Sequence, residues 1–260
     1  MNRINKLFKE NKNRKLLSLY FCAGCPTLEG TGNVILTLQE RGIDMIEVGI
    51  PFSDPLADGP VIQSAGTVAL KNGMTLRLLF QQLKEIKEKV RIPLVMMGYL
   101  NVIMHYGIEE FCKSCVECGV SGMIIPDLPF KDYTEDVKPI AERYDLRVIM
   151  MITPETSDDR IRFIDNNTDG FIYMVSSASI TGAQKSFDEA KQDYFRHINS
   201  MNLRNPRMIG FGISNKQTLD SANANAAGAI IGSKFVTLLN DSNGDAEKAI
   251  DNLYEALEKG

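Results

Sequence analysis

The 260-residue sequence contains no tryptophan, only two histidines, and no apolar run approaching the roughly 20 residues of a membrane-spanning helix. It has no basic excess: the net charge is −4. That balance argues against nucleic acid or an anionic membrane as the main partner, but leaves room for a local phosphate pocket. No low-complexity tract, composition shift or linker divides the chain, so one domain spanning 1–260 is expected. The histidines, His105 and His197, have no evident acid or nucleophile partner and are expected on the surface or in loops. The N-terminus, MNRINKLFKENKNRK, is basic but lacks the apolar core of a secretory signal. Ile4, Leu7 and Phe8 recur at helical spacing, so an amphipathic cap helix is expected; a mitochondrial transit peptide is disfavoured by the scarcity of serine. A cytoplasmic protein is the expectation.

Cysteine is present five times, in spacings that imitate metal sites: Cys22-x-x-Cys25 and Cys112-x-x-Cys115-x-x-Cys118. The first pair ends an expected strand. The other three fall on an expected helix, where three-residue steps share one broad face. The two groups are far apart in sequence, unlike a compact zinc ribbon, so no metal site is expected. Free thiols used as small apolar fillers suit a reducing compartment.

What the sequence does have is a regular alternation. Short apolar or β-branched runs occupy 16–24, 45–50, 93–99, 122–127, 147–153, 170–176, 207–213 and 228–233. Amphipathic stretches at 29–41, 61–71, 76–89, 108–118, 132–143, 158–165, 185–199, 215–225 and 245–258 separate or follow them. Near-continuously apolar strands are those of a parallel sheet covered on both faces. Eight βα units in this length predict a (β/α)8 TIM barrel with an extra N-terminal cap helix; an open doubly wound sheet is the alternative.

The active site of such a barrel lies at the C-terminal ends of its strands. In MIEVGI, side-chain alternation puts Met45, Glu47 and Gly49 on one face and Ile46, Val48 and Ile50 on the other. The branched face suits packing against helices, so Glu47 is expected to look into the barrel, with Gly49 leaving room for a ligand above it. Burial raises a carboxyl pKa and suits it to general acid/base work. The bland alternative is a structural Glu paired with a buried cation. Asp58 follows in a loop stiffened by Pro51, Pro55 and Pro60; it is either an active-site acid or an N-cap for the next helix. Asp54, before Pro55, reads as a turn residue or a partner contact.

The last three strand ends are rich in small residues: Ser179–Gly182, Gly210–Ser214 and Gly232–Ser233. Backbone N–H groups at such places, with a helix N-terminus, cradle an anion. Tyr20, Tyr99, Tyr173 and Phe211 lie near strand tops, where they fill the core or hold a flat apolar ligand. The residues thus describe a barrel for a phosphorylated small molecule with an aromatic part. Isomerisation, C–C cleavage and ring closure all remain open, as does a Schiff-base aldolase using Lys234 or Lys15.

The stretch EVGIPFSDPLADGP resembles the second strand and loop of the tryptophan synthase alpha subunit family. DLP at Asp127–Pro129, SITGA at Ser179–Ala183, GFGIS at Gly210–Ser214 and IGS at Ile231–Ser233 agree in order, and the likeness runs over nearly the whole chain. The resemblance implies retro-aldol cleavage of indole-3-glycerol phosphate to indole and glyceraldehyde 3-phosphate, without Schiff base, metal or cofactor in this chain. It implies Glu47 as general acid/base and Asp58 as the acid on the indole N–H. Thr181 would close onto Asp58, Tyr173 would stand beside Glu47, and Phe211, Tyr99 and Tyr20 would surround the indole. Gly182, Gly212, Gly232 and Ser233 would cradle the phosphate.

It also implies a pyridoxal-phosphate β subunit as partner, in an α2β2 assembly with an indole tunnel. The 52–60 loop and the Tyr99–His105 segment would face that subunit, with Asp54 at the interface. A non-catalytic subunit that only activates β is a further possibility, disfavoured by the intact Glu47 and Asp58. FCAGCP departs from the family pattern at Cys22 and Cys25, and Ser177 stands where some members carry arginine; none is a catalytic match.

Overall fold

The eight apolar runs pair as eight parallel strands: β1 (Leu16–Cys22), β2 (Met45–Gly49), β3 (Leu94–Met97), β4 (Gly122–Ile124), β5 (Arg147–Ile152), β6 (Ile172–Val175), β7 (Arg207–Gly210) and β8 (Gly228–Ile231). Their order round the sheet is the order in the chain, and β8 pairs with β1, so the sheet closes into a (β/α)8 TIM barrel. The computed structural model describes residues 1–176 and 186–258.

Register decides what faces inward. Tyr20 pairs with Glu47, Glu47 with Val95, Tyr173 with Met208 and Ser18 with Ile230, so these residues share the interior face. Ile46 and Val48 point to the helices and are fully buried there. The helix Thr31–Glu40, with Val34, Ile35 and Leu38 buried, and the helix Leu76–Ile86, with Leu79, Phe80 and Leu83 buried, form part of that outer ring.

The N-terminal end of the barrel is shut by the expected cap helix, Arg3–Glu10. The Asn2 side chain caps it at Ile4 N–H and donates to Ser121 O at 2.8 Å. Ile4 is fully buried over the barrel floor, and Phe8 packs on Phe171 with ring centroids 5.7 Å apart. Gly122 makes the entry possible: a Cβ there would lie 2.8 Å from the Ile4 Cδ1. Asp44, just before β2, takes two bonds from Arg14 and a third from Leu17 N–H at 2.9 Å, so it belongs to this structural end.

Three details differ from the expectations. The strands stop short of the small residues that follow them: β1 ends before Gly24 (φ +79°), and β7 before Phe211 (φ +69°) and Gly212 (φ +79°). Left-handed backbone turns the chain out of the sheet there. Two helices lie outside the expected amphipathic stretches, Leu100–Tyr106 and Ser233–Asp241. The first is under two turns long, and the second is rich in the β-branched and aromatic residues that also favour strands. The helix expected over 132–143 has a π-helical stretch at Tyr133–Val137 before Lys138–Arg143. Pro139 has no N–H to donate into the preceding turn, which interrupts the α-helical ladder.

All five cysteines are free and buried, and no group of metal-ligating side chains occurs among the described residues. Cys118 Sγ, for example, donates to Phe80 O at 3.2 Å. His197 does have an acid partner, Asp158, at 2.7 Å, but both are exposed on the outer helices; His105 is also an exposed helix residue.

Candidate active site

Glu47 sits in the wall of the barrel at 0% exposure. No cation pairs with it, and neither carboxyl oxygen has a hydrogen-bond partner among the described residues. The structural ion pair that could explain a buried glutamate is therefore missing. Burial pushes its carboxyl up to about 8, and the nearby Ser18 hydroxyl opposes the rise without reaching good hydrogen-bond geometry.

Asp58 comes from the loop after β2 and is 9% exposed. The following helix, Pro60–Lys71, is capped at Gly59 with no side-chain cap bond, so Asp58 is not its N-cap. Its carboxylate instead accepts from the Tyr99 hydroxyl at 3.1 Å. That hydroxyl in turn accepts from Ala57 N–H at 2.9 Å, so Tyr99 braces the loop. The Asp58 N–H donates to Pro55 O at 3.1 Å, and the Gln63 side chain donates to Asp58 O at 2.8 Å. Burial raises the Asp58 carboxyl to about 6, with the Tyr99 bond pulling it back. Asp54 is exposed, bonded by the Ser53 hydroxyl, and its carbonyl accepts Leu56 N–H at 3.0 Å.

Between the two acids lies a cleft of about 610 Å³, counted out to its open mouth. Tyr20, Tyr173 and Phe211 line it, and Phe211 meets Tyr173 edge-on at 6.1 Å. Each tyrosine leans across onto a glycine of the next strand. A Cβ at Gly49 would lie 2.2 Å from the Tyr20 hydroxyl, and one at Gly210 would lie 2.3 Å from the Tyr173 hydroxyl. This corrects the expectation for Gly49: the room above Glu47 holds a tyrosine, not ligand directly. Tyr99 also differs from its expected place. It does not line the cleft, and reaches it through Asp58, because its hydroxyl is committed to the Asp58 loop.

The far end of the cleft has the makings of an anion site. Gly212, Gly232, Ser233 and Lys234 line it. The helix Ser233–Asp241 starts there without a side-chain cap, leaving its first N–H groups for a ligand at the positive end of the helix dipole. Phe211 and Gly212 are successive left-handed residues, and the Ser176 hydroxyl pins Phe211 O at 2.6 Å. A left-handed phenylalanine costs about 1–3 kcal/mol, a strain found where a loop is held for a ligand. Lys15 lies at the opposite end of the barrel, bonded to Ala226 O at 2.7 Å, and cannot serve this cleft.

Thr181, Gly182 and Ser177 lie outside the described residues. Of the expected site residues inside them, Glu47, Asp58, Tyr20, Tyr173, Phe211, Gly212, Gly232 and Ser233 share the one cleft. Ile62, Met97, Ile213 and Ile230 complete its apolar wall and were not expected. Met97 and Ile230 could have been found by carrying the strand alternation that exposed Glu47 to β3 and β8.

The profile of the tryptophan synthase alpha chain family matches residues 7–259. The tryptophan synthase alpha chain of Phocaeicola vulgatus is 68% identical over 257 residues, covering 99% of each chain. That of Bacteroides thetaiotaomicron is 63% identical over 257 residues, covering 99% of this chain and 100% of the relative. The crystal structure of tryptophan synthase subunit alpha from Legionella pneumophila has a TM-score of 0.88 at 30% identity, covering 100% of this chain and 98% of that one. By its barrel, its near-complete match to the profile and these full-length relatives, the chain belongs to the tryptophan synthase alpha chain family.

Proposed function

We propose that Glu47 and Asp58 divide between them the reaction of this family, the cleavage of indole-3-glycerol phosphate to indole and glyceraldehyde 3-phosphate. The observation that carries this reading is the separation of the two acids, about 8 for Glu47 and about 6 for Asp58. Near neutral pH the first holds its proton and the second does not. Glu47 can then give its proton to indole C3. Asp58, as a carboxylate, accepts the indole N–H and stabilises the cation that protonation creates. With C3 protonated, the C–C bond to the side chain breaks and its electrons neutralise the indole ring. The ionised Glu47 takes the proton from the side-chain hydroxyl as that carbon becomes the aldehyde. Glu47 ends as it began, and no further acid or base is consumed.

The phosphate sits at the start of the helix Ser233–Asp241, with Gly212 and Gly232 allowing close backbone approach. Tyr20, Tyr173 and Phe211 flank the ring, with Tyr99 acting behind Asp58. Thr181 and Gly182 are assigned by resemblance alone, as lid and phosphate contacts. We place the β subunit on the surface formed by the 52–60 loop and the helix Leu100–Tyr106, where Leu56 and Met104 are exposed. In our reading the assembly is α2β2, pyridoxal phosphate belongs to β and this chain needs no cofactor. We further take 1–260 to act as one barrel domain in the cytoplasm; no helix of the described residues is long and apolar enough to cross a membrane.

Indole release by the purified chain, followed against pH, tests the reading. The kcat/KM profile should be a bell, falling below about 6 as Asp58 gains a proton and above about 8 as Glu47 loses one. A rate that keeps rising through pH 9 would overturn the assignment of Glu47 as the acid.

A further inference from the structure

Glu47 is not the only orphan in the barrel wall. The Ser18 hydroxyl, on β1, is likewise fully buried and without a hydrogen-bond partner. Ser18 faces the interior one layer below Tyr20, the residue that pairs with Glu47. Its own register partners are Met45 on β2 and Ile230 on β8, both apolar. A hydroxyl in that place has no neighbour in its layer to bond, and an unpaired buried polar group is costly. The carboxyl on the adjacent strand, itself unpaired, is the group within its reach, and Ser18 already perturbs it.

We infer that Ser18 is the positioning residue of Glu47: its hydroxyl accepts from the protonated carboxyl and donates to the ionised one. This rests on the reading of Glu47 as the acid/base. A hydroxyl is the one neutral side-chain group that can make both bonds by rotating a single hydrogen. It therefore serves a carboxyl that loses and regains a proton in each turnover. It also ties down one oxygen from below, leaving the other directed at the cleft.

The other titratable groups facing Glu47 are Tyr20 and Cys22 from β1, Asp58 with Tyr99 behind it, Tyr173 from β6, and Lys234 at the far end of the cleft. None of them makes a hydrogen bond to Glu47. The hydroxyls of Tyr20 and Tyr173 are seated over Gly49 and Gly210, toward the mouth. Among the described residues, Ser18 is the hydroxyl that acts on Glu47 from beneath.

The test is the titration of Glu47 itself, read by carbon NMR of the full chain labelled at its glutamate carboxyls. The signal that vanishes in Glu47→Gln assigns the residue. Ser18→Ala should raise its midpoint from about 8 by about one unit, a tenfold change in ionisation constant, because the ionised form loses its donor. The alkaline limb of the rate profile should move with it. Ser18→Thr, which keeps the hydroxyl, should restore the native midpoint. If Ser18→Ala does not fold, Ser18→Cys, a weak donor, should still raise the midpoint above that of the native chain, by less than about one unit, and an unmoved midpoint there counts equally against the inference. An unmoved midpoint in folded Ser18→Ala, or one in Ser18→Thr shifted as far as in alanine, overturns the inference. Native indole release by Glu47→Gln would instead overturn the catalytic reading, leaving the bond itself to the titration.

Discussion

Glu47 and Asp58 are acids of one cleft built in opposite ways. Glu47 stands on a strand, wholly buried and unpaired, held by the rigid wall of the barrel. Asp58 stands on a loop, held by the Tyr99 hydroxyl and by the proline-rich turn that precedes the helix Pro60–Lys71. Both are raised by burial, but only Asp58 has a formed hydrogen bond that favours its charge. The lesson is that two similar groups take different protonation states first through burial, complete for Glu47 and less so for Asp58, and then through the formed Tyr99 bond that favours the charge of Asp58.

The largest way to break the comparison is to remove the proton carrier. Glu47→Gln should lower the rate of indole release by about 10³-fold or more while leaving circular dichroism unchanged, the upper range for an acid/base group. Asp58→Asn should cost about 10²-fold, since an amide still fills the site but cannot balance the indole cation. If the two losses were reversed in size, the division of roles would have to be reversed too.

Stability offers a second separation. A carboxyl whose folded pKa lies above its unfolded value binds more protons folded than unfolded between the two. Its contribution is whole below the unfolded value and is lost as pH rises through the folded one. For Glu47 that window runs from about 4.5 to about 8, and for Asp58 from about 3.8 to about 6. Urea unfolding should therefore show Glu47→Gln gaining on the native chain by a few kcal/mol between pH 5 and pH 9. Asp58→Asn should make most of its smaller gain below pH 7.

The smallest effect sharpens the difference in support. Tyr99→Phe deletes the bond that favours ionised Asp58. The acid limb of the rate profile should move upward from about 6 by up to about one unit, with little change at the alkaline limb. A shift confined to the alkaline limb would mean that Tyr99 serves Glu47 instead.

Much of this was legible in the sequence, for reasons that differ by residue. The strands could be read because buried parallel strands are apolar on both faces, and Glu47 stood out as the exception in one of them. Alternation then settled its direction without any coordinates. Asp58 could not be settled that way. A loop acid before Gly-Pro is equally suited to capping, and only the cap geometry at Gly59 and the bond from Tyr99 decide between the roles. The residues alone leave Tyr99 between core filling and ligand contact, and the resemblance sets it around the indole; neither says which way its hydroxyl turns, which the bonds to Asp58 and Ala57 show. The helix Ser233–Asp241 carries strand-like residues after a glycine, so the sequence reading places no helix there. Ser18 was invisible for a simpler reason: a serine in an apolar strand is ordinary until its neighbours are known.

The lean of each tyrosine onto a glycine has a consequence for how this barrel can vary. Removing the Tyr20 hydroxyl does not free position 49, because ring carbons would still stand 2.6 and 2.8 Å from a new Cβ. The same holds for Tyr173 and position 210, where ring carbons would stand at 2.6 Å. Tyr20 with Gly49, and Tyr173 with Gly210, are therefore coupled positions. A side chain gained at either glycine requires the aromatic ring beside it to swing aside or be lost, and either way a wall of the cleft moves.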